Sequence, residues 1–209
     1  MYGYLIDNYN ATDQEIEYIE ELTKLRSKRR DSPYFNKNPS IVIDNFLFHG
    51  DLGHASNLQL LKQLDIRHII NICDFPLDKK IMSAFNVLHI NLDDSMEVDI
   101  KQHFDKTNQF LKTCKEKNEK VLVHCQMGIS RSSTIVLAYL MKYHHDTLFK
   151  AYDFLLDKRR QASPNHGFLL QLIRYEQELR ATKEIDTGKG DIQNPIEIVE
   201  TKVEDKLEL

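Results

Sequence analysis

The chain has 209 residues, of which 41% are hydrophobic and 29% are charged. This composition is that of an ordinary globular protein with one well-cored domain, and no apolar run approaches the roughly 20 residues that a membrane helix needs. The formal net charge is −4. Residues 181–209 account for it with eight acidic and four basic residues, so bulk charge does not indicate a nucleic-acid-binding protein.

The N-terminus and the cysteines indicate a reducing compartment. Residues 1–22 lack the basic start and apolar stretch of a secretory signal, and the chain does not begin with a myristoylation pattern. The three cysteines, Cys73, Cys114 and Cys125, form an odd, low count without metal-ligand spacing. We therefore expect a cytoplasmic protein, with entry into the nucleus left open.

Residues 1–39 are predicted to form an amphipathic helix and a linker. The helix is expected to begin with the capping-box pattern of Thr12 and Glu15 and to continue with apolar residues at helical spacing. The basic cluster Lys28-Arg29-Arg30 lies at its end. This cluster has two interpretations: a docking or nuclear-import signal, or an ordinary solvated helix end.

Strands and helices alternate from residue 40 to residue 180, which predicts an α/β catalytic domain. Strands are expected at residues 41–43, 46–48, 68–72, 87–91 and 120–124, and helices at 55–64, 99–115, 132–143, 147–160 and 165–180. This order favours a central, mostly parallel sheet of about five strands flanked by helices. Residues 181–209 contain few apolar residues and are expected to form an acidic, disordered tail.

The segment of residues 121–133, VLVHCQMGISRSS, carries the clearest chemistry. A buried-strand pattern precedes Cys125, Arg131 follows it six positions later, and an apolar helical run comes after. A loop between a strand and a helix N-terminus directs successive backbone N–H groups into one concavity, where the helix dipole favours an anion. Phosphate is the expected ligand of such a loop.

The loop also predicts a division of roles. Its field favours the thiolate of Cys125 as a nucleophile, with His124 fixing the surroundings, and Arg131 can hold two phosphoryl oxygens. Ser132 can donate to the departing thiolate, and an inert buried thiol is the alternative interpretation of Cys125. The predicted phosphate-binding residues are Gln126, Met127, Gly128, Ile129, Ser130 and Arg131.

Residues 124–143, HCQMGISRSSTIVLAYLMKY, resemble the signature of the dual-specificity protein phosphatases, a branch of the protein tyrosine phosphatase superfamily. Residues 163–172 are similar to a later helix motif of that family, and residues 46–50 to its "LYLG" stretch, with His49 at the leucine-like position. The resemblance spans roughly residues 41–178. It implies hydrolysis of phosphotyrosine and phosphoserine or phosphothreonine in proteins, through a phosphocysteine and without metal or cofactor.

The same resemblance implies two further roles upstream of the loop. The family uses an aspartate as general acid, and the pattern favours Asp94 over Asp93, with Asp99 as a helix N-cap. Cys73 is similar in position to a second cysteine that, in phosphoinositide-phosphatase relatives, can form a disulfide with the nucleophile. A half-buried strand cysteine is the other interpretation of Cys73.

Two other functions stay open. A phosphoprotein-binding module without catalysis is disfavoured because Cys125 and Arg131 are both retained. A phosphoinositide or RNA phosphatase is disfavoured because lipid-directed relatives carry lysines inside the loop, whereas Gln126, Met127 and Ile129 add no charge. Phosphoproteins, MAP kinases among them, are therefore the expected partners, and nothing in the sequence indicates an oligomeric state.

Overall fold

A computed structural model describes residues 2–29 and 37–186. The elements are α1 (Tyr2–Tyr9), α2 (Asp13–Ser27), β1 (Ser40–Ile43), β2 (Leu47–Gly50), α3 (Leu52–Ser56), α4 (Leu58–Gln63), β3 (Ile66–Asn71), α5 (Lys79–Ala84), β4 (Asn86–His89), a 3-10 turn (Lys101–His103), α6 (Phe104–Glu116), β5 (Lys120–His124), α7 (Arg131–Tyr143), α8 (Leu148–Lys158) and α9 (His166–Asp186). None of the described helices is long and apolar enough to cross a membrane.

The five strands form one sheet in the order β1-β2-β5-β3-β4. Only the β1–β2 pair is antiparallel, and every other neighbouring pair is parallel. A large apolar cluster with residues from α1, α2 and α6 to α9 covers one face of the sheet, and a smaller cluster with α4 and α5 covers the other. The predicted α/β fold with a mostly parallel, five-stranded sheet is confirmed.

Strand β5 places the cysteine loop at the centre of this sheet. Its flanking strands run parallel to it, with Gly50 of β2 and Asn71 of β3 both level with His124. The loop of residues 125–130 follows at once and leads into α7, which is buried from Arg131 to Met141. The loop therefore lies at the carboxyl ends of parallel strands, where α/β sheets bind their ligands.

The capping box predicted for the N-terminal helix is present in α2. Thr12 Oγ1 accepts from the Glu15 N–H at 3.2 Å, and Glu15 Oε2 accepts from the Thr12 N–H at 2.8 Å. The Glu15 carboxylate also accepts from Arg174 Nε of α9 at 2.8 Å. The cap thus anchors α2 to the domain as well as starting it.

The basic cluster after α2 is partly engaged within the chain. Arg29 forms ion pairs with Asp153 and Asp157 of α8. Arg30 lies outside the described residues. Arg29 therefore serves the packing of α2 on the domain.

Several elements differ from expectation. Helix α1 and helix α5 were not anticipated, and α9 runs to Asp186 instead of ending near residue 180. The expected helix over residues 55–64 is two short helices, because the backbone of Asn57 leaves the helical region while its side chain accepts from the Leu60 N–H and caps α4. Of the predicted tail of residues 181–209, residues 181–186 belong to α9 and the rest lie outside the described residues, so the proposed domain boundaries stay a prediction.

Candidate active site

The carbonyl groups of the cysteine loop all point outward to donors of the surrounding scaffold. The bonds run from the Leu52 N–H to Gln126 O (3.1 Å), Gln161 Nε2 to Met127 O (3.3 Å), Arg159 Nε to Gly128 O (2.7 Å), the Ser163 N–H to Ile129 O (2.7 Å) and the Thr134 N–H to Ser130 O (3.0 Å). The described residues contain no cis peptide. Because a trans peptide sets its N–H opposite its C=O, the N–H groups of residues 127–131 turn inward.

Gly128 is required at the tightest point of this loop. Its φ is +63°, in the left-handed region. A Cβ atom there would lie 2.3 Å from Arg159 Nη2 and 2.4 Å from Gly50 O. Both the backbone conformation and the close packing therefore exclude a side chain.

Cys125 lies at the base of the concavity. Its side chain is buried, and Sγ accepts a hydrogen bond from Ser132 Oγ at 3.2 Å. The neighbouring His124 is fully buried, with Nδ1 3.3 Å from the carbonyl oxygen of Cys125. Burial lowers the pKa of His124 to about 4, so the imidazole is neutral at physiological pH and supports the loop without exchanging protons.

Arg131 connects the loop to the segment that carries the predicted acid. Its guanidinium is buried, and Nη1 donates to Leu92 O at 2.8 Å and lies 3.5 Å from Asp74 Oδ1. Its Nε is 3.7 Å from Asp94 Oδ2 and makes no hydrogen bond among the described residues. One buried, charged donor thus remains available at the concavity for an anion.

The Asp94 carboxylate lies at the rim of the same concavity. Oδ1 accepts from Ser130 Oγ at 2.7 Å and from Asn165 Nδ2 at 2.9 Å. Asp93 is exposed, and its carboxylate has no partner in the described part of the chain, whereas Asp99 accepts from the Gln102 N–H as a helix cap does. The hydroxyl of Ser130 therefore holds Asp94, while its backbone N–H still faces inward.

Comparisons with known proteins agree with this geometry. A family model described as the dual specificity phosphatase catalytic domain matches residues 47–178. This chain belongs to that family. The family resemblance predicted from residues 124–143 is thereby confirmed.

Relatives of this phosphatase domain occur within much longer proteins. A probable rhodanese domain-containing dual specificity protein phosphatase of Dictyostelium discoideum is 43% identical over 141 residues, which are 68% of this chain and 29% of that protein. The MAP kinase phosphatase with leucine-rich repeats protein 3 of the same organism is 42% identical over 147 residues, which are 69% of this chain and 17% of that protein. This chain thus spans less than a third of either relative.

A solved structure of DUSP15 has the same domain fold. The two share 32% identity with a TM-score of 0.63, over 72% of this chain and 97% of that one. The match therefore covers nearly the whole of that solved chain.

Helix α1 lies outside the residues that match the family, yet it contacts the acid loop, which we define as residues 92–98. Tyr4 Oη donates to Glu97 Oε1 at 2.6 Å, and the Tyr2 ring lies 5.5 Å from the ring of His166 at the start of α9. On the α9 side, a Cβ atom on Gly167 would lie 2.4 Å from Met96 O. The acid loop of this phosphatase domain is thus packed between its N-terminal helix and α9.

The site also contains an arginine that the sequence did not single out. Arg159 is 1% exposed and follows α8; besides Gly128 O, its Nη1 lies 3.4 Å from both His49 O and Ser40 Oγ. Its Nη2 is 4.0 Å from the carboxylate of Asp51. The pair Arg159-Arg160 was visible in the sequence, but only the structure shows which of the two guanidiniums turns inward.

Two further side chains lie behind the nucleophile. Cys73, two residues after the end of β3, is buried and close enough to Cys125 to sense its charge. Burial, followed by that charge, raises the pKa of Cys73 to about 12. His49, which sequence reasoning noted only as a departure from the family pattern, has Nε2 2.8 Å from Ser132 Oγ.

The described residues hold no group of three or more His, Cys, Asp or Glu side chains placed to bind a metal ion. The groups that converge on Cys125 are instead backbone N–H donors and the guanidinium of Arg131. This arrangement suits a tetrahedral oxyanion.

Replacing Arg159 with methionine is expected to destabilise the domain and weaken its affinity for oxyanions. The substitution keeps an unbranched side chain but leaves the carbonyls of Gly128 and His49 buried without their donor, which costs about 2 kcal/mol or more. Urea unfolding and calorimetric titration with vanadate measure the two effects. Arg67→Met is the matched control, since Arg67 is exposed and, among the described residues, forms its ion pair with Asp65 on the surface. Equal behaviour of the two variants would contradict the role given to Arg159.

Proposed function

We propose that this chain hydrolyses phosphotyrosine and phosphoserine or phosphothreonine in proteins, through a phosphocysteine on Cys125. The observation that carries the proposal is the outward set of loop carbonyls, which turns the backbone N–H groups toward the concavity, together with the buried Nε of Arg131, which makes no hydrogen bond among the described residues. Donors fixed in advance around a phosphoryl group stabilise its transition state without further reorganisation. Family membership supports the same reaction class.

In the first step, the Cys125 thiolate attacks phosphorus and an S–P bond forms as the P–O bond to the substrate breaks. The leaving oxygen takes a proton from Asp94, because an alkoxide or phenoxide is a poor leaving group. In the second step, water attacks the phosphocysteine and gives its proton to Asp94. The S–P bond then breaks, and the sulfur leaves as a thiolate that accepts the hydrogen bond of Ser132.

Protein substrates are favoured over multiply charged headgroups. The loop side chains Gln126, Met127 and Ile129 carry no charge, and Met127 is 58% exposed at the mouth of the site. One relative is a MAP kinase phosphatase by name, which makes MAP kinases a candidate substrate class. The basic cluster supports kinase docking less strongly than that relative does, because Arg29 is already paired with acidic residues of α8 and is not free to bind a partner's acidic side chains.

The central test compares the wild type with Cys125→Ser on an aryl phosphate and on paired phosphotyrosine and phosphothreonine peptides. Phosphate release from both peptides that depends on Cys125 is the expected result. Binding of the peptides by both forms without release would instead indicate a phosphoprotein-binding module. A higher kcat/KM on phosphoinositides than on peptides would indicate a lipid phosphatase.

Asp94→Asn is expected to slow turnover of a phosphothreonine peptide by roughly 10²- to 10⁴-fold, because its alkoxide leaving group needs a proton. The loss should be much smaller on an aryl phosphate with an acidic phenol. Steady-state kcat on the two substrates, measured for Asp94→Asn and for the adjacent control Asp93→Asn, checks this. A large loss in Asp93→Asn alone would show that the acid is Asp93.

A reversible disulfide between Cys73 and Cys125 stays a prediction. Peroxide would oxidise the Cys125 thiolate to a sulfenic acid, and attack by the Cys73 sulfur would form the S–S bond and release water. The raised pKa of Cys73, about 12, makes this second step slow because little thiolate is present. Mass spectrometry after mild peroxide, with Cys73→Ser as control, should detect the crosslink. Absence of the crosslink in the wild type rules out the reversible disulfide.

A further inference from the structure

We infer that His49 is a positioning residue for the second chemical step, because it holds the hydroxyl of Ser132 with its proton directed at the Sγ atom of Cys125. The inference rests on the proposed phosphocysteine reaction and adds a residue to it. The family pattern has a leucine-like residue where this chain has His49, so the resemblance does not itself imply this role.

The three side chains form a continuous buried row. His49, near the end of β2, and Ser132, in the first turn of α7, are both fully buried. Nε2 of His49 lies 2.8 Å from Ser132 Oγ, and Ser132 Oγ lies 3.2 Å from Cys125 Sγ. No other hydrogen bond of the His49 ring is made in the described part of the chain, since its Nδ1 is buried without a partner.

The number of available protons determines which atom donates each hydrogen bond in this row. The Ser132 hydroxyl has one proton, which it can give to only one acceptor. With the ring proton on Nε2, His49 donates to Ser132 Oγ and leaves that proton for Sγ. With the ring proton on Nδ1, a buried N–H would have no acceptor, and Nε2 would compete with Sγ for the hydroxyl proton, so the first tautomer is favoured.

The surroundings keep the His49 ring neutral. Burial is the main cause that holds its pKa well below the usual range, and the Arg159 guanidinium, His124 and His54 lower it further. Charged groups also lie beside the far end of the row, where Arg159 interacts with Cys125 and Asp51, and where the buried Arg131 directly follows the loop that begins at Cys125. A neutral ring supplies one donor that does not titrate in the physiological range, which suits a fixed orienting role.

The consequence for the reaction concerns the leaving sulfur. As water attacks phosphorus and the S–P bond breaks, the electron pair stays on sulfur and negative charge develops there. A hydroxyl whose oxygen already accepts a hydrogen bond from His49 is a stronger donor to that charge, because hydrogen bonds in a chain polarise one another. No proton needs to be transferred along the row.

A purely structural role for His49 is the weaker explanation. Burying an imidazole with one ring nitrogen unpaired costs free energy that a leucine at the same place would not. The single partner of the ring in the described residues is the hydroxyl that contacts the nucleophile.

The test measures how readily Cys125 is alkylated by iodoacetamide as a function of pH, by mass spectrometry of the peptide that contains it. His49→Leu, the family-like change, should raise the midpoint by up to about one pH unit, because the Ser132 hydroxyl is then free to turn its proton away from Sγ and a hydrogen bond to the thiolate is worth about that much. His49→Gln keeps an N–H donor near the position of Nε2 and should stay close to the wild type. With an aryl phosphate, His49→Leu should also show a larger burst and an about tenfold slower steady state, because dephosphorylation becomes limiting.

Two comparisons make the result decisive. In a Ser132→Ala background, His49→Leu should have no further effect, since the two residues act through one hydroxyl. His68→Leu, at another buried strand histidine whose ring contacts Glu119 and Asn86, should leave the midpoint unchanged. An unchanged midpoint in His49→Leu, equal shifts in the leucine and glutamine variants, or additive effects with Ser132→Ala would overturn the inference. If His49→Leu shifts the alkylation midpoint but the wild-type protein releases no phosphate from its substrates, the role of His49 is supported and the proposed function is contradicted.

Discussion

Turning the carbonyls of residues 126–130 outward is the arrangement on which the rest of the site depends. Five peptide groups in tight succession can present their N–H donors to one point only if each carbonyl finds a donor elsewhere. The scaffold supplies those donors from separate elements: the start of α3, the turn of residues 161–163, the first turns of α7 and the buried side chain of Arg159. The fold is therefore organised around the backbone of the loop as much as around its cysteine.

Two buried arginines contact this loop from different sides and do different work. Arg159 satisfies a carbonyl and packs against Gly128, whereas Arg131 reaches the acid loop through Leu92 O, and its Nε makes no hydrogen bond in the part of the chain that the structure describes. The nearby histidines His49 and His124 contribute no positive charge, since burial keeps both neutral. The positive potential that favours a bound anion thus comes from groups that cannot lose their charge near neutral pH.

The sequence was sufficient for the sheet, the capping box and the loop, because each rests on a local pattern of two or more residues. It could not show which of Arg159 and Arg160 is buried, since two adjacent residues after a helix carry no periodicity that assigns one of them to the interior. The break between α3 and α4 depends on the side chain of Asn57, which caps α4. The hydrogen-bonded row from His49 through Ser132 to Cys125 joins residues that are 76 positions apart at its two ends. Only the packing of β2 against α7 brings them together.

The contact between helix α1 and the acid loop has a consequence for how this domain is delimited. The match to the family begins at residue 47, but Tyr4 donates to Glu97 of the segment that carries Asp94, and Tyr2 lies against His166 of α9 beside it. A chain trimmed to the shared residues would keep all the chemistry-bearing side chains and lose one wall of the loop that presents the acid. For this protein, the smallest unit that preserves the whole site begins with its N-terminal helix. The residues shared with the family and the residues needed to hold the site therefore begin at different positions in the chain.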